Sequence, residues 1–317
     1  MREAPDAGRA ERGTGRQGDE PGAAPLVLSW EAAAAPGRHT RRMDAAREGV
    51  RRLFDTLADT YDQVGVDFFQ PIAAGLVEAL APVPGEHVVV MGCGRGAEVV
   101  PLARGVGERG RVLATDLSPA MVRCCREVVT QEGLHNVEVR LGDAQEPDLD
   151  EPPCDIVASS LVLFFLPDPT AAVRAWLPLL RPGGRVGVAT FRGPDPVLEM
   201  AHDIFEPYLA PDLVDARTTG AQGPFACDAG MDGLLRAGGF VDVRSQSRTV
   251  SPVFRDVGHW YEFSMSVGLR QYWQSVPAAE LDHVRDEVFA VVSQLATADG
   301  TIQLPFGVRY SLGRRPR

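Results

Sequence analysis

The period of the apolar positions changes along the chain and divides it into segments. Residues 1 to about 48 carry few large apolar side chains. From Ala45, Val50, Leu53, Phe54 and Leu57 recur at three and four, which predicts a helix. FFQPIAAGLVEALAPV (68–83) predicts a second, with Leu76, Val77 and Leu80 on one face and Pro82 and Pro84 as stops. After Gly85 the pattern changes. HVVVMGC, RVLATDL, VEVRLGDA, CDIVASSLVLFFL and RVGVATF are short, nearly continuous apolar runs that predict strands. AEVVPLARGV, SPAMVRCCREVVTQEG and TAAVRAWLPLLRPGG lie between them and predict helices. Strands alternating with helices of this length require right-handed crossovers and a parallel sheet. Strands without polar alternation are buried on both faces, so helices cover both sides of a doubly wound α/β sheet.

After Phe191 the alternation breaks. MAHDIFEPYL predicts a helix, followed by a Gly- and Pro-containing stretch. GMDGLLRAGGFVDVRSQSRTV then predicts a helix, a glycine stop and a strand, and residues 252–300 are mainly helical. IQLPFGVRYSLGRR predicts a closing strand. The expected organisation is a mostly flexible tail over 1–48 and one domain over 49–317, with cap segments near 193–228 and 252–300. Within the tail, LVLSWEAAAA (26–35) is the apolar exception. It is expected to form a docking helix, and through it a homo-oligomer.

Composition narrows the function. The net charge of -11 argues against a nucleic-acid binder, which needs a basic face. All 32 basic residues are arginine, which fits coding bias in a GC-rich genome. Five cysteines without a C-x-x-C pair fit a reducing, cytoplasmic setting. The N-terminus lacks the apolar core of a signal peptide, and no apolar run reaches membrane-spanning length. The sequence offers no metal-ligating cluster and no Ser-His-Asp arrangement.

The chemistry gathers at strand ends. VVVMGCGRG takes a buried strand into a glycine turn, where backbone N–H groups and a helix N-terminus can meet a ligand. Asp116 ends the next strand, about 20 residues beyond Gly96, where an acid reaches ribose hydroxyls. It is not needed as a helix cap, because Ser118 followed by Pro119 fills that role. Asp143, in LGDA, ends the strand after that and can accept from an exocyclic amine. The three groups open on one sheet edge.

These residues resemble the core of a class I S-adenosylmethionine-dependent methyltransferase. GCGRG is similar to the family's glycine motif, ATDLSPAMV to its ribose motif and GDA to its adenine motif. CDIVASSLVLFFLPDP and LRPGGRV are similar to its later motifs. FDTLADTYD and DGTIQLPFGVRYSLGRR resemble segments of the ubiquinone/menaquinone-biosynthesis-type branch. The resemblance implies a seven-stranded, mostly parallel Rossmann-like sheet with a helical cap over its carboxyl edge. It implies S-adenosylmethionine as cofactor; the aromatic residues of the added helices point to an apolar, polycyclic or prenylated small molecule as substrate. Gly92, Gly94 and Gly96 would lie under the methionine part, beside Cys93 and Met121. Asp116 would hold the ribose, Leu117 would pack on the adenine, and Asp143 with Ala144 would meet the adenine amine. Ser159 or Ser160 would offer a carbonyl to the ammonium, and Tyr61 would close over that end.

The sequence departs from the family at Val90, where an acid usually precedes the first glycine by two residues. Losing that charge-assisted contact costs about 1.5–3 kcal/mol unless Tyr61, Asp62 or backbone carbonyls compensate. Two functions follow: C- or O-methylation in specialised metabolism, or a cyclase or isomerase that keeps the cofactor without consuming it. A non-catalytic assembly protein is a third. For proton removal the candidates are His202, His259 and Tyr261, in the cap segments. Phe68, Phe69, Phe164, Phe165 and Trp273 are among the aromatic residues divided between core and substrate chamber.

Overall fold

The computed structural model describes residues 36–193, 196–209 and 223–317, with backbone alone for 36–43. The chain divides into units 1–40 and 41–317, the second of which carries the sheet. The docking segment 26–35 and part of the first cap segment lie outside the described residues.

Helix α1 (Pro36–Leu57) and α2 (Phe69–Leu80) precede the sheet. Helix α1 thus begins well before Ala45, inside the segment expected to be tail, because residues 36–44 give no apolar signal. The α/β core runs β1 (His87–Met91), α3 (Val99–Val106), β2 (Arg111–Asp116), α4 (Pro119–Gln131), β3 (Val137–Leu141), β4 (Cys154–Ser160), α5 (Pro169–Trp176) and β5 (Leu180–Phe191). There follow α6 (Pro196–Phe205), α7 (Asp228–Ala237), β6 (Val241–Val250), β7 (Val253–Phe254), α8 (Val257–Ser266), α9 (Arg270–Ser275) and α10 (Leu281–Val292). The described chain closes with β8 (Ile302–Gln303) and β9 (Phe306–Arg314).

Seven strands form one sheet in the order β3-β2-β1-β4-β5-β9-β6. The first five are parallel, and β9 runs antiparallel to both β5 and β6. The order reverses between β1 and β4, where a doubly wound sheet opens its ligand crevice. Val88, Val89, Val90 and Met91 are all buried, as expected of a central strand covered on both faces. Val90 fills core volume, and its carbonyl accepts the Thr115 hydroxyl at 3.0 Å. Beyond the carboxyl end of β5, Phe263 of α8 meets Phe68, which also stacks near Phe191. Helices α6 and α9 meet there through Phe205 and Trp273. Among the described residues no helix is long and apolar enough to cross a membrane.

Three boundaries differ from the sequence reading. The run CDIVASSLVLFFL is a strand only to Ser160; Leu161 takes φ 57° and a 3-10 turn covers Leu163–Phe165. The helix TAAVRAWLPLLRPGG stops at Trp176, and Leu180 already opens β5. Pro178 and the Gly183-Gly184 pair remove helix support there, and a register shift between Cys154 and Ile156 absorbs the irregularity. The closing strand is broken before Phe306, with β8 pairing β7 in a separate ribbon.

Candidate functional site

Four adjacent strand ends carry the site. Asp143 follows β3, Asp116 ends β2, the glycine turn follows β1 and Ser160 ends β4. Neighbouring strands lie about 4.8 Å apart, so the row spans roughly 15 Å.

The turn is held by its glycines. Gly92 N–H and Cys93 N–H both donate to the Thr115 carbonyl at 2.8 Å, which folds the chain back over β2. Gly92, Gly94 and Gly96 have φ of 76°, 49° and 96°. A Cβ on Gly92 would lie 2.4 Å from Val162 Cγ2, whereas one on Gly94 would meet nothing within 4 Å. Gly94 therefore faces open cleft. Its N–H donates to Asp116 Oδ2 at 2.9 Å, and Ser118 N–H donates to Asp116 Oδ1 at 2.9 Å. Burial pushes the Asp116 carboxyl up to about 6, against the pull of these N–H groups. Ser118 caps α4 by accepting Met121 N–H at 3.1 Å, and its hydroxyl donates to Asp55 of α1 at 2.6 Å.

Asp143 Oδ1 accepts Gln145 N–H at 2.7 Å, while Oδ2 lies 3.1 Å from Arg47 Nε of α1. The Ala144 carbonyl beside it is tied to Trp176 Nε1 at 2.7 Å. At the other end of the cleft, Tyr61 stacks on Phe69 with centroids 4.5 Å apart. Phe54 meets Phe165 edge-on at 5.3 Å. Burial raises the Tyr61 hydroxyl above its ordinary range. Asp62 lines the same end, and burial lifts its carboxyl to about 6, with Gln70 and Arg95 acting to lower it.

The cleft brings together most of the cofactor residues expected from the sequence: Tyr61, Gly92, Cys93, Gly94, Asp116, Leu117, Met121, Asp143, Ala144 and Ser160. Gly96 and Ser159 lie behind it. Gly96 faces Cys125 Sγ, and the Ser159 hydroxyl donates to the Met91 carbonyl inside the sheet at 3.0 Å. Sequence reasoning missed Phe54 and Glu98, which also line the cleft. Glu98 is 2% exposed. Its signal was a lone acid in the apolar run AEVVPLA, read only as helix.

The proposed proton acceptors are not in the cleft. His259 is buried with both ring nitrogens occupied: Nδ1 accepts Arg255 N–H at 3.2 Å and Nε2 lies 2.8 Å from the Val64 carbonyl. That pattern makes Nε2 the protonated nitrogen and His259 a tie between segments. His202 packs edge-on against Tyr272, and Tyr261 packs against Trp273 and Phe289. The aromatic chamber also shrinks. Phe68, Phe164, Phe205, Trp260, Phe263 and Trp273 are buried core, whereas Phe69 and Phe165 line the cleft.

Residues 89–188 match the model of a methyltransferase domain. The chain is 33% identical over 275 residues to nocamycin O-methyltransferase of Saccharothrix syringae, covering 83% of this chain and 97% of that one. It is 38% identical over 140 residues to the aklanonic acid methyltransferase of a Streptomyces strain, covering 44% and 64%. The solved structure of Haemonchus contortus phosphoethanolamine N-methyltransferase 2 with S-adenosylmethionine superposes with a TM-score of 0.54 at 15% identity. That match covers 86% of this chain and 60% of the other, and it speaks for the fold. On these matches the chain belongs to the class I S-adenosylmethionine-dependent methyltransferases.

Proposed function

We propose that the cleft at the four strand ends binds S-adenosylmethionine and that the enzyme methylates an oxygen of an apolar, polycyclic small molecule in specialised metabolism. The observation that carries the reading is the row Asp143, Asp116, Gly94 and Ser160 along one sheet edge. In this reading Asp143 and Ala144 receive the adenine and Leu117 packs on it. Asp116 takes the ribose hydroxyls. The residues fit such a ligand: Gly94 leaves the space that a side chain would fill, and Asp116 is preset by two backbone N–H groups. Cys93, Met121 and Tyr61 border the same space. When bound, the cofactor supplies a methyl group on a positive sulfur.

The oxygen assignment draws on the nocamycin O-methyltransferase, 97% of which this chain covers. The apolar substrate draws on Phe54, Tyr61, Phe69 and Phe165, which give that end of the cleft aromatic walls. No histidine lines the cleft among the described residues. Asp62, with its carboxyl near 6, is therefore assigned to accept the proton of the acceptor hydroxyl. The five free cysteines support a reducing compartment.

The test is turnover with a panel of polycyclic hydroxylated and enolic acceptors. S-adenosylhomocysteine released in step with a product carrying a new O–CH₃ group supports the reading. A product methylated on carbon refutes the oxygen assignment.

A further inference from the structure

Glu98 stands out because it lacks what a buried carboxylate needs. It is 2% exposed, and the donor near its carboxylate is the Ser160 backbone N–H, which does not reach it in full hydrogen-bond geometry. An acid so placed is costly unless a cation or donors meet it. Glu98 occupies the N-cap position of α3, yet its side chain makes no capping hydrogen bond.

Among the described residues, no cation lining the cleft is free to serve it. Arg51 is committed to Glu48 and Asp55, and Arg95 donates to the Ala58 carbonyl at 2.6 Å. The other titratable residues lining the cleft are Tyr61, Asp62, Cys93, Asp116 and Asp143, and none of them can carry positive charge. With no such cation among the described residues, a ligand's cation is the group left to satisfy Glu98.

Position along the sheet edge says which part of the ligand. From β3 to β4 the row reads Asp143, Asp116, glycine turn, Ser160. With adenine at Asp143 and ribose at Asp116, the amino-acid end of the cofactor falls between β1 and β4. Glu98 leaves the β1 turn and has the Ser160 backbone as its polar neighbour. Val90, where the family's acid is expected, is instead fully buried apolar core.

We infer that Glu98 is the carboxylate that receives the methionine ammonium of the cofactor, in place of the strand-end acid absent at Val90. The inference rests on the cofactor reading above. It also accounts for a buried acid that the described residues leave without a cation. Burial pushes the free Glu98 carboxyl up to about 8, so near pH 7 it is mostly protonated. Meeting an ammonium releases that proton.

The experiment compares two ligands in calorimetry on the full chain. S-adenosylhomocysteine carries the amino-acid end, and 5′-methylthioadenosine lacks it. Glu98→Gln is expected to weaken S-adenosylhomocysteine by about 10- to 150-fold, the range of one charge-assisted contact. It is expected to leave 5′-methylthioadenosine within twofold. Titration in two buffers of different ionisation enthalpy near pH 7 should show close to one proton released by wild type on binding S-adenosylhomocysteine, and that release should vanish in Glu98→Gln. Asp116→Ala should weaken both ligands. If it weakens neither, the cofactor reading fails, independently of Glu98. If Asp116→Ala behaves as expected but Glu98→Gln binds S-adenosylhomocysteine like wild type, the inference is overturned. Equal loss of both ligands in Glu98→Gln overturns it too, since that marks a structural role. Glu98→Leu, which removes the polar group altogether, must repeat the ligand split.

Discussion

Arg47 of α1 sits 3.1 Å from the Oδ2 of Asp143 at the end of β3, across the mouth of the cleft. The same guanidinium lies 2.9 Å from Glu146 through Nη2. Val50, Arg51 and Phe54 of α1 line the cleft below this contact. The helix therefore closes the nucleoside end and is latched there by an ion pair. Both side chains of the Arg47–Asp143 pair are about one-fifth exposed, so the pair contributes at most about 1 kcal/mol. Arg47→Ala is expected to speed S-adenosylhomocysteine dissociation up to about fivefold with little change in thermal stability. Stopped-flow displacement measures this, and an unchanged rate would mean that the latch does not retain the ligand.

The three glycines of the turn are not equivalent. Gly94→Ala puts a methyl into open cleft, at the cost of about 1–2 kcal/mol for a side chain in the left-handed region. Gly92→Ala adds a 2.4 Å clash with Val162 to the same strain. Gly94→Ala should lose at least tenfold in cofactor affinity with only that loss of about 1–2 kcal/mol in stability. Gly92→Ala should lose about 2–4 kcal/mol of stability as well. Paired calorimetry and melting curves separate the two, and equal melting temperatures would contradict the packing argument.

Some of this could be read in the chain and some could not, for physical reasons. Asp116 and Asp143 were legible because each follows an apolar run, and in a parallel sheet such ends share one edge. The glycine turn was legible because a strand ran straight into it. Glu98 was not legible, because burial without a partner is a property of tertiary packing. Arg47 lies in a polar stretch, and its partner Asp143 is distant in the sequence, after β3. His259 reads as a candidate base until a carbonyl 195 residues away occupies its ring. The opening of β5, LRPGG, reads as helix in the sequence because it continues an apolar helical period.

His259 should therefore matter for stability and not for chemistry. It joins the Val64 carbonyl to the Arg255 backbone, and its own N–H is capped by Asp256 at 2.8 Å. His259→Ala leaves buried polar groups unpaired and opens a void, for an expected loss of about 2–4 kcal/mol. Below its lower melting temperature, the variant should keep kcat within about twofold, since a residue outside the proton path costs far less than the hundredfold typical of a lost base. A large fall in kcat with unchanged melting would restore it as a base.

Asp62 carries the opposite expectation. Its carboxyl, raised by burial to about 6, must be ionised to accept a proton. The rate of methyl transfer should therefore fall as pH drops through about 6. Asp62→Asn should lower kcat by about 10²-fold or more and remove that limb of the pH profile. A limb that survives in Asp62→Asn belongs to another group, Asp116 being the alternative with the same value.

Glu98 links the cofactor site to the stability of the free protein. Its folded carboxyl lies near 8, above the ordinary 4.5, so the folded state holds the proton more tightly than the unfolded chain. The stability this provides is complete below pH 4.5 and is lost as pH rises through 8. The loss is at most about 5 kcal/mol, and water entering the cleft reduces it. Glu98→Gln cannot ionise, so it should match wild type near pH 4 and exceed it by a few kcal/mol near pH 9. Asp62 and Asp116 shift in the same direction but remain in both proteins, so the difference between the two stability curves isolates Glu98. Saturating S-adenosylhomocysteine should narrow that gap at pH 9, because the ligand favours wild type by the ratio of the two affinities. Denaturant titrations across this range, with and without the ligand, measure both effects. Parallel curves for the two ligand-free proteins would show that Glu98 is not an isolated buried acid.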